Sequence, residues 1–238
     1  MGEKAIEWND PIPWGDLGVF TNERENMLFN LLTIFFGATF GFYFLYKATE
    51  WVLENHPGVL FSEKSEFNLM PAKVKKEYYS RIVSDLHAIV ATCASIYVIY
   101  FACENPADTV FTNFECLNDP NQVGLCIIAI SSAYCLYDMY ICIFEIKFAF
   151  HECSDYIFHH TVGLLGAILV IVTGQFPVAL SVGNLVSETS NFCMNLRWRL
   201  LKHKMTESQW FIASSILFMV VFFFSRVVFM LMLNIRTY

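Results

Sequence analysis

Two adjacent histidines, His159 and His160, stand near the start of the apolar segment DYIFHHTVGLLGAILVIVTG. The imidazole ring titrates close to neutral pH, so it can transfer a proton, accept an acyl group or bind a metal. Ionisable side chains are costly at membrane depth, and those that occur there usually have a function. The pair is therefore the first candidate for chemistry, and the rest of the chain must indicate which chemistry.

Polar side chains recur at helical spacing in two earlier apolar segments. Arg81, Ser84 and His87 follow one another every three residues, which predicts that they lie along one side of a helix. In the next segment Tyr134 and Asp138 are four residues apart, so they also share a helix face. Each of these segments therefore carries a polar stripe that should point away from lipid.

The later segments add further polar groups. Glu188, Asn191 and Asn195 form a polar stripe, and Arg226 stands inside the apolar sequence FFFSRVVF. Taken singly, each is explained by hydrogen bonds between helices, at roughly 1 kcal/mol or less per contact. Arg226 could also pair with Glu188 or Asp138 to cancel its charge. Taken together, these residues predict a polar interior, either a shared hydrogen-bond network or a cavity for a polar head group.

A metal site is a competing interpretation of the histidines. His151, Asp155 and His159 are successively four residues apart, and imidazole and carboxylate one turn apart do bind zinc or iron. No HExxH motif and no second matched pair of ligands accompany them. We therefore expect no metal. A serine hydrolase is also disfavoured, because the chain contains no GxSxG motif.

The composition indicates a membrane protein. Of the 238 residues, 56% are hydrophobic and only 16% are charged, whereas about a quarter of the residues in soluble domains are charged. Such an excess of apolar side chains is expected where lipid is the solvent for much of the surface. The net charge of -7 argues against nucleic acid as a partner.

Apolar runs that approach the length needed to cross a bilayer, about 20 residues, occur six times. They cover residues 27–46, 82–103, 123–144, 156–172, 176–194 and 210–233. We therefore predict an all-α fold, a polytopic transmembrane helix bundle of about six spans with a polar-lined interior. The expected organisation, in chain order, is an N-terminal arm 1–26, a first span 27–46, a loop 47–77 and a helical bundle 78–234.

The basic residues are distributed unevenly between the two sides of such a bundle. Eleven of the 15 Lys and Arg side chains fall on the side of loops 47–77 and 196–207, and three fall on the side of the termini. The positive-inside rule places the first side in the cytoplasm, and the arm 1–26 in the lumen or exterior. Cys103 and Cys116 lie at the outer side and could form a disulfide if that side is oxidising.

The arm 1–26 does not resemble a targeting segment. It is acidic, without the basic start and apolar core of a secretory signal or the Arg-rich composition of a transit peptide. Its Trp8 and Trp14 suit a membrane interface or a docking contact with protein partners in a larger membrane assembly. We expect a multi-pass protein of an endomembrane of the endoplasmic reticulum type, with the mitochondrial inner membrane as the alternative.

The ordered set of polar residues resembles the TLC-domain family, which includes the ceramide synthases and the translocating-chain-associated membrane proteins. The resemblance covers about residues 78–233, and the stretch ETSNFCMNLRW is most similar to the small TLC domain-containing proteins of the transmembrane protein 56 type. The residues that carry it are Arg81, Ser84, His87, Tyr134, Asp138, His159, His160, Glu188, Asn195, Arg197, Trp198 and Arg226.

The resemblance implies an activity that this chain supports only in part. In ceramide synthases the His-His pair is followed by an Asp-x-x-Asp motif and a Glu, and the histidines are implicated in moving an acyl chain from a coenzyme A thioester to a sphingoid amine. Here Glu188 keeps the first acid, whereas Asn191 and Asn195 replace later ones. An amide cannot act as a general base. His159, His160 and Asp138 are therefore catalytic candidates only if the protein is an enzyme.

Three hypotheses for function remain, because a fold alone does not determine function. The first is a lipid-handling membrane protein that binds or senses a lipid, such as a phospholipid or an acyl lipid, and needs no other cofactor. The second is a non-catalytic structural subunit of a larger membrane complex with bound lipids. The third is an acyltransferase that uses acyl-coenzyme A. The expected lipid-cavity residues are Arg81, Ser84, His87, Tyr134, Asp138, His159, His160, Glu188, Asn191, Asn195 and Arg226.

Overall fold

Helices dominate the part of the chain that the computed structural model describes, residues 24–59, 67–113, 116–117, 122–173 and 178–237, and no strand occurs there. In chain order the α-helices are α1 Arg24–Asn55, α2 Ala72–Phe101, α3 Gln122–Tyr140, α4 Phe150–Thr173, α5 Val178–Asn184, α6 Thr189–Lys202, α7 Gln209–Phe222 and α8 Phe229–Thr237. The two short helices, α5 and α8, adjoin or continue longer helical stretches. The predicted all-α helix bundle is confirmed.

Five helical stretches among the described residues are long and apolar enough to cross a membrane. They are Leu28–Asn55, Ala72–Phe101, Gln122–Glu145, Phe150–Ile171 and Gln209–Ile235. The remaining predicted span, 176–194, corresponds to α5, a 3₁₀ turn Leu185–Glu188 and the first part of α6. The polar stripe lowers the hydropathy of this segment. The segment is a composite of three helical pieces rather than one long apolar helix.

The boundaries of the first elements differ from those expected. α1 does not end with the apolar run 27–46 but continues to Asn55, and α2 begins at Ala72, so the loop is shorter than 47–77. α1 continues past its apolar run because charged side chains allow a helix to extend into water. Lys47 and Glu50, which follow the apolar run, pair at 2.9 Å on this helix. The later bundle likewise begins before residue 78 and α8 reaches Thr237. Of the predicted arm 1–26, residues 1–23 lie outside the described residues.

The third long stretch, Gln122–Glu145, is the centre of the bundle. Of its most apolar part 61% is buried inside the protein, compared with 6% for α1 and 11% for α4. The outer helices expose large apolar side chains, such as Phe36, Phe40 and Phe44 of α1. These surfaces are stable only against lipid, because in a bilayer the solvent is itself apolar.

Two apolar clusters lie at different heights in the bundle. One contains Val98 and Ile99 of α2, and the other contains Tyr79 and Val83 of the same helix. Between them α2 buries polar side chains, among them His87. The bundle is therefore layered, with polar residues between two apolar cores.

Close packing positions the composite helix. A Cβ atom at Gly183 in α5 would overlap Cδ2 of Leu233, which is fully buried in α8. A side chain at this position would therefore force Leu233 to shift, whereas glycine permits the close approach of the two helices. The contact holds α5 against α8 and so sets the position of the 3₁₀ turn that ends at Glu188.

The lysine–carboxylate ion pairs gather at one end of the bundle. Glu145, at the end of the third long stretch, lies 3.4 Å from both Lys47 and Lys76, and Lys73 lies 2.8 Å from Glu152. A pair at the surface, such as Lys73 with Glu152, contributes little stability, about 1 kcal/mol or less. At the other end of α2, Cys103 and Cys116 form a disulfide. The two ends therefore differ chemically, in the manner that the charge distribution predicts.

The disulfide gives a direct test of the membrane orientation. In sealed vesicles, we expect an impermeant maleimide to modify Cys103 and Cys116 only after reduction, and only from the side opposite the basic loops, because the disulfide blocks both thiols. A cysteine introduced as Lys204→Cys should react from the other side without reduction. A gel shift with a mass-tagged reagent measures both. Reaction of Cys103 without reduction, or from the same side as position 204, would contradict the orientation.

Candidate functional site

A cavity of about 480 Å³ lies among α2, α3, α4, α6 and α7. Ten of the eleven expected lipid-cavity residues line it: Arg81, Ser84, Tyr134, Asp138, His159, His160, Glu188, Asn191, Asn195 and Arg226. The stripes on separate helices therefore meet in one place.

The two adjacent histidines have different environments. His160 is buried, with Nε2 2.9 Å from Oδ2 of Asp138. The Ser80 hydroxyl donates to Oδ1 of the same carboxylate at 3.2 Å. His159 is exposed and lines the cavity. Asp138 therefore orients His160, while His159 is the imidazole that is free to meet a ligand.

His87 does not line the cavity but supports its wall. Its ring stacks on Tyr134 with 3.9 Å between the centroids, and its Nε2 lies 3.2 Å from the Ser131 hydroxyl. Helix geometry accounts for the position of His87 outside the cavity lining. Residues three apart fall about 60° short of a full turn, so His87 is about 120° around α2 from Arg81.

A buried amide, Asn195, connects α6 to α2. Its Oδ1 accepts from Nη1 of Arg81 at 2.8 Å, and its Nδ2 donates to Oδ1 of Asp85 at 2.8 Å. Asp85 also pairs with Arg199, and the Arg81 guanidinium lies 4.4 Å from the ring centroid of Trp198. An amide suits this position because it accepts and donates at once, which an ionised carboxylate cannot do.

Arg226 points into the cavity from a π-helical segment, Phe223–Val228, and does not pair directly with an acid. Its Nε donates to the Ser190 hydroxyl at 3.2 Å and its Nη2 to Oδ1 of Asn191 at 3.4 Å. Nδ2 of Asn191 donates to Glu188 at 2.6 Å. The predicted pairing of Arg226 with Glu188 is therefore indirect, with Asn191 between them. π-helical segments inside α-helices are frequent at functional sites.

The cavity lining contains both polar and apolar side chains. Most polar groups come from α2, α3, α4 and α6, whereas α7 contributes Phe218 and Phe222, and Met194 also lines the cavity. α4 packs chiefly on α3, and α7 packs chiefly on α6, so these two helices form opposite walls. The site can therefore accept a molecule with one polar and one apolar part.

The polar network also contains three residues that were not among the expected site residues. They are Ser80, Asp85 and Ser190. Asp85 carried a signal, since it is a charged residue in an apolar segment. Within the described part of the chain, no three His, Cys, Asp or Glu side chains are grouped as metal ligands would be.

Comparison with known sequences gives a consistent match. Residues 77–238 match the family model described as the TLC domain. TLC domain-containing protein 4 of Homo sapiens is 31% identical over 168 residues, 69% of this chain. TLC domain-containing protein 4-B of Xenopus laevis is 29% identical over 178 residues, 71% of this chain, and protein 4 C of Dictyostelium discoideum is 28% identical over 180 residues, 75% of this chain.

The match is limited in extent. The aligned region spans 59% of the human relative, 60% of the Xenopus relative and 61% of the Dictyostelium relative. No solved structure matches the chain. The comparisons therefore identify the family of the helical bundle that contains the cavity. The chemistry of the site is inferred from the positions of its own side chains.

The network around Asn195 makes a testable contribution to stability. Replacing Asn195→Ala removes a buried partner from both Arg81 and Asp85, so we expect a loss of about 1–3 kcal/mol in the free energy of unfolding. Asn234→Ala is the matched control, since the Asn234 side chain is exposed and donates only to its own helix at 2.7 Å. Denaturation in detergent micelles measures both. Equal losses in the two variants would contradict the role of Asn195.

Proposed function

This chain belongs to the TLC-domain family, and on that premise we propose that it is a lipid-handling membrane protein that binds or senses a lipid in its intramembrane cavity. The observation that carries the proposal is the cavity's mixed lining. His159 and Arg226 offer polar groups, and Phe218 and Phe222 offer apolar ones. A lipid matches both, because its head group satisfies polar groups that would be costly to leave unpaired in a dry environment.

The size and position of the cavity support the same function. Its volume of about 480 Å³ falls within the roughly 300–1,000 Å³ typical of small-molecule sites. α4 and α7, which form its two walls, are also among the most lipid-exposed helices, with 11% of their most apolar parts buried. A lipid could therefore enter between them from the bilayer without its acyl chains crossing water.

We place the protein in an endomembrane of the endoplasmic reticulum type. The support is the disulfide between Cys103 and Cys116, because disulfides persist where one side of the membrane faces an oxidising compartment. The mitochondrial inner membrane is the alternative. The labelling of Cys103 described above, carried out in vesicles from each organelle, distinguishes them.

Lipid retention tests the proposed function. We expect native mass spectrometry of the protein released from nanodiscs to show a bound lipid. Ser84→Phe places a ring inside the cavity and should reduce retention about tenfold or more, equivalent to about 1.4 kcal/mol. Cys93→Phe is the matched control, since Cys93 lies on the same helix but is exposed on the outer surface. Wild-type protein without lipid, or full retention by Ser84→Phe, would contradict the proposal.

A second function, acyl transfer, is favoured by one observation. Asp138 and Ser80 orient His160 as a general base is oriented in many enzymes, and His159 lies beside it. In such a reaction an imidazole accepts the acyl group of a coenzyme A thioester, the coenzyme A thiolate leaves, and the acyl group passes to an acceptor that loses its proton. Asn195 weighs against this function, because the resemblance to ceramide synthases implies an acid there and an amide cannot act as a general base.

The acyltransferase function has its own test. If it holds, His159→Ala and His160→Ala should each abolish acyl transfer from oleoyl-coenzyme A in proteoliposomes while the protein still folds. His151→Ala is the control, since His151 is exposed on the same helix outside the cavity. Unchanged transfer, or unchanged cellular lipid profiles, in the first two variants would exclude a catalytic role for the pair.

A further inference from the structure

Arg226 is the least compensated charge in the cavity. Among the residues that the structure describes, no carboxylate lies within ion-pair distance of it. Its bonds go to neutral acceptors, the Ser190 hydroxyl and the Asn191 amide oxygen, and the Phe222 ring centroid lies 5.3 Å away. Its Nη1 donates to no acceptor in the described part of the chain. The guanidinium therefore retains donors that nothing in the surrounding protein uses.

The depth of Arg226 makes this arrangement costly. It lies about 26 Å from the start of α7 at Gln209 and about 16 Å from the end of α8 at Thr237, at roughly 1.5 Å per residue. It is therefore well inside the membrane and distant from both interfaces. An arginine at that depth normally pairs with an acid, faces water or serves a function. An anion bound in the cavity would supply the missing partner.

The acids that line the cavity are already engaged or peripheral. Glu152 pairs with Lys73 at 2.8 Å, Glu77 with Lys202 at 3.7 Å, and Asp138 with His160. Asp155 is exposed at the rim, one turn from His159 toward the charged end. These acids leave the charge on Arg226 uncompensated at the depth where it lies.

Glu188 is the acid nearest to Arg226, and Asn191 separates the two. The amide donates to Glu188 at 2.6 Å and accepts from Arg226 at 3.4 Å. Asn191 therefore satisfies Glu188 while holding the guanidinium away from it. His159 and Arg226 both line the same cavity.

We infer that Arg226, with His159 beside it, binds an oxyanion of the lipid, either a phosphate or a carboxylate. A guanidinium is suited to this task because its planar donors match the paired oxygens of both groups. The inference rests on the proposed function, since it names the class of lipid that the cavity takes. An anionic lipid should be retained over one of the same chain length without net charge.

The test compares ligands on the intact protein. Wild-type protein in detergent micelles is incubated with dioleoyl glycerol, which carries neither a phosphate nor a carboxylate, together with an equal amount of dioleoyl phosphatidic acid or oleic acid, and retained lipid is identified by native mass spectrometry. We expect enrichment of one acidic lipid over dioleoyl glycerol of about tenfold or more, which corresponds to about 1.4 kcal/mol. The acid that is enriched identifies phosphate or carboxylate as the preferred group. Inorganic phosphate alone should not displace the retained lipid.

Variants assign the selectivity to Arg226. Arg226→Gln should remove the enrichment, and Arg226→Lys should restore part of it because the charge is kept without the fork of donors. Arg197→Gln is the matched control: Arg197 is exposed, donates to the Ser215 hydroxyl at 3.1 Å and lies outside the cavity. The comparison of lipids on wild-type protein needs no variant, so it remains decisive if Arg226→Gln fails to fold.

The outcomes separate this inference from the function on which it rests. Equal retention of dioleoyl glycerol and the acidic lipids, with Arg226→Gln unchanged, overturns the anion site but leaves a lipid-binding protein. Displacement of the lipid by inorganic phosphate would also overturn the inference, because the site would then take the free anion. Retention of no lipid under any condition would remove the proposed function itself. If Arg197→Gln loses the lipid selectivity and Arg226→Gln keeps it, the selectivity arises at the protein surface and not in the cavity, which would overturn the inference.

Discussion

The buried amide of Asn195 is the interaction on which the arrangement of the site depends. It bonds Arg81 with its oxygen and Asp85 with its nitrogen, and both partners belong to α2. In a bilayer no water is available to satisfy such groups, so they must be satisfied within the protein. The cavity exists because α6 is held to α2 by polar contacts, while α4 and α7 are held mainly by apolar packing on either side.

The same requirement explains the irregular helices at the site. The composite helix changes from α to 3₁₀ at Leu185–Glu188, and α7 changes to a π-helical segment at Phe223–Val228. A 3₁₀ turn tightens the helix and a π turn widens it, so each rotates the side chains that follow. Glu188 ends the first segment and Arg226 lies in the second, and the two approach the same Asn191. Backbone irregularity and polar contact therefore occur together.

Much of this arrangement was predictable from the sequence, and the failures have physical causes. Apolar length identified five of the long helices, and the predicted polar stripes include ten of the residues that line the cavity. The segment 176–194 was also predicted as a span, although the polar side chains that build the site lower its hydropathy. His87 lies outside the cavity lining because spacing of three residues drifts around a helix of 3.6 residues per turn. Ser80 and Ser190 were missed, since a serine within a helix gives no signal until its partner is known.

The identity of the side chain at position 195 bears on what the site can do. With a carboxylate there, the contact with Arg81 could remain, but the contact with Asp85 would place two acids about 3 Å apart, which favours the protonation of one of them. The amide avoids that charge conflict and removes a titratable group from the cavity wall. Asp138 and His160 keep their hydrogen bond, so acid and imidazole groups still line the cavity. The uncompensated charge of Arg226, together with the amide at position 195, therefore favours the proposed binding of an anionic lipid over its transformation.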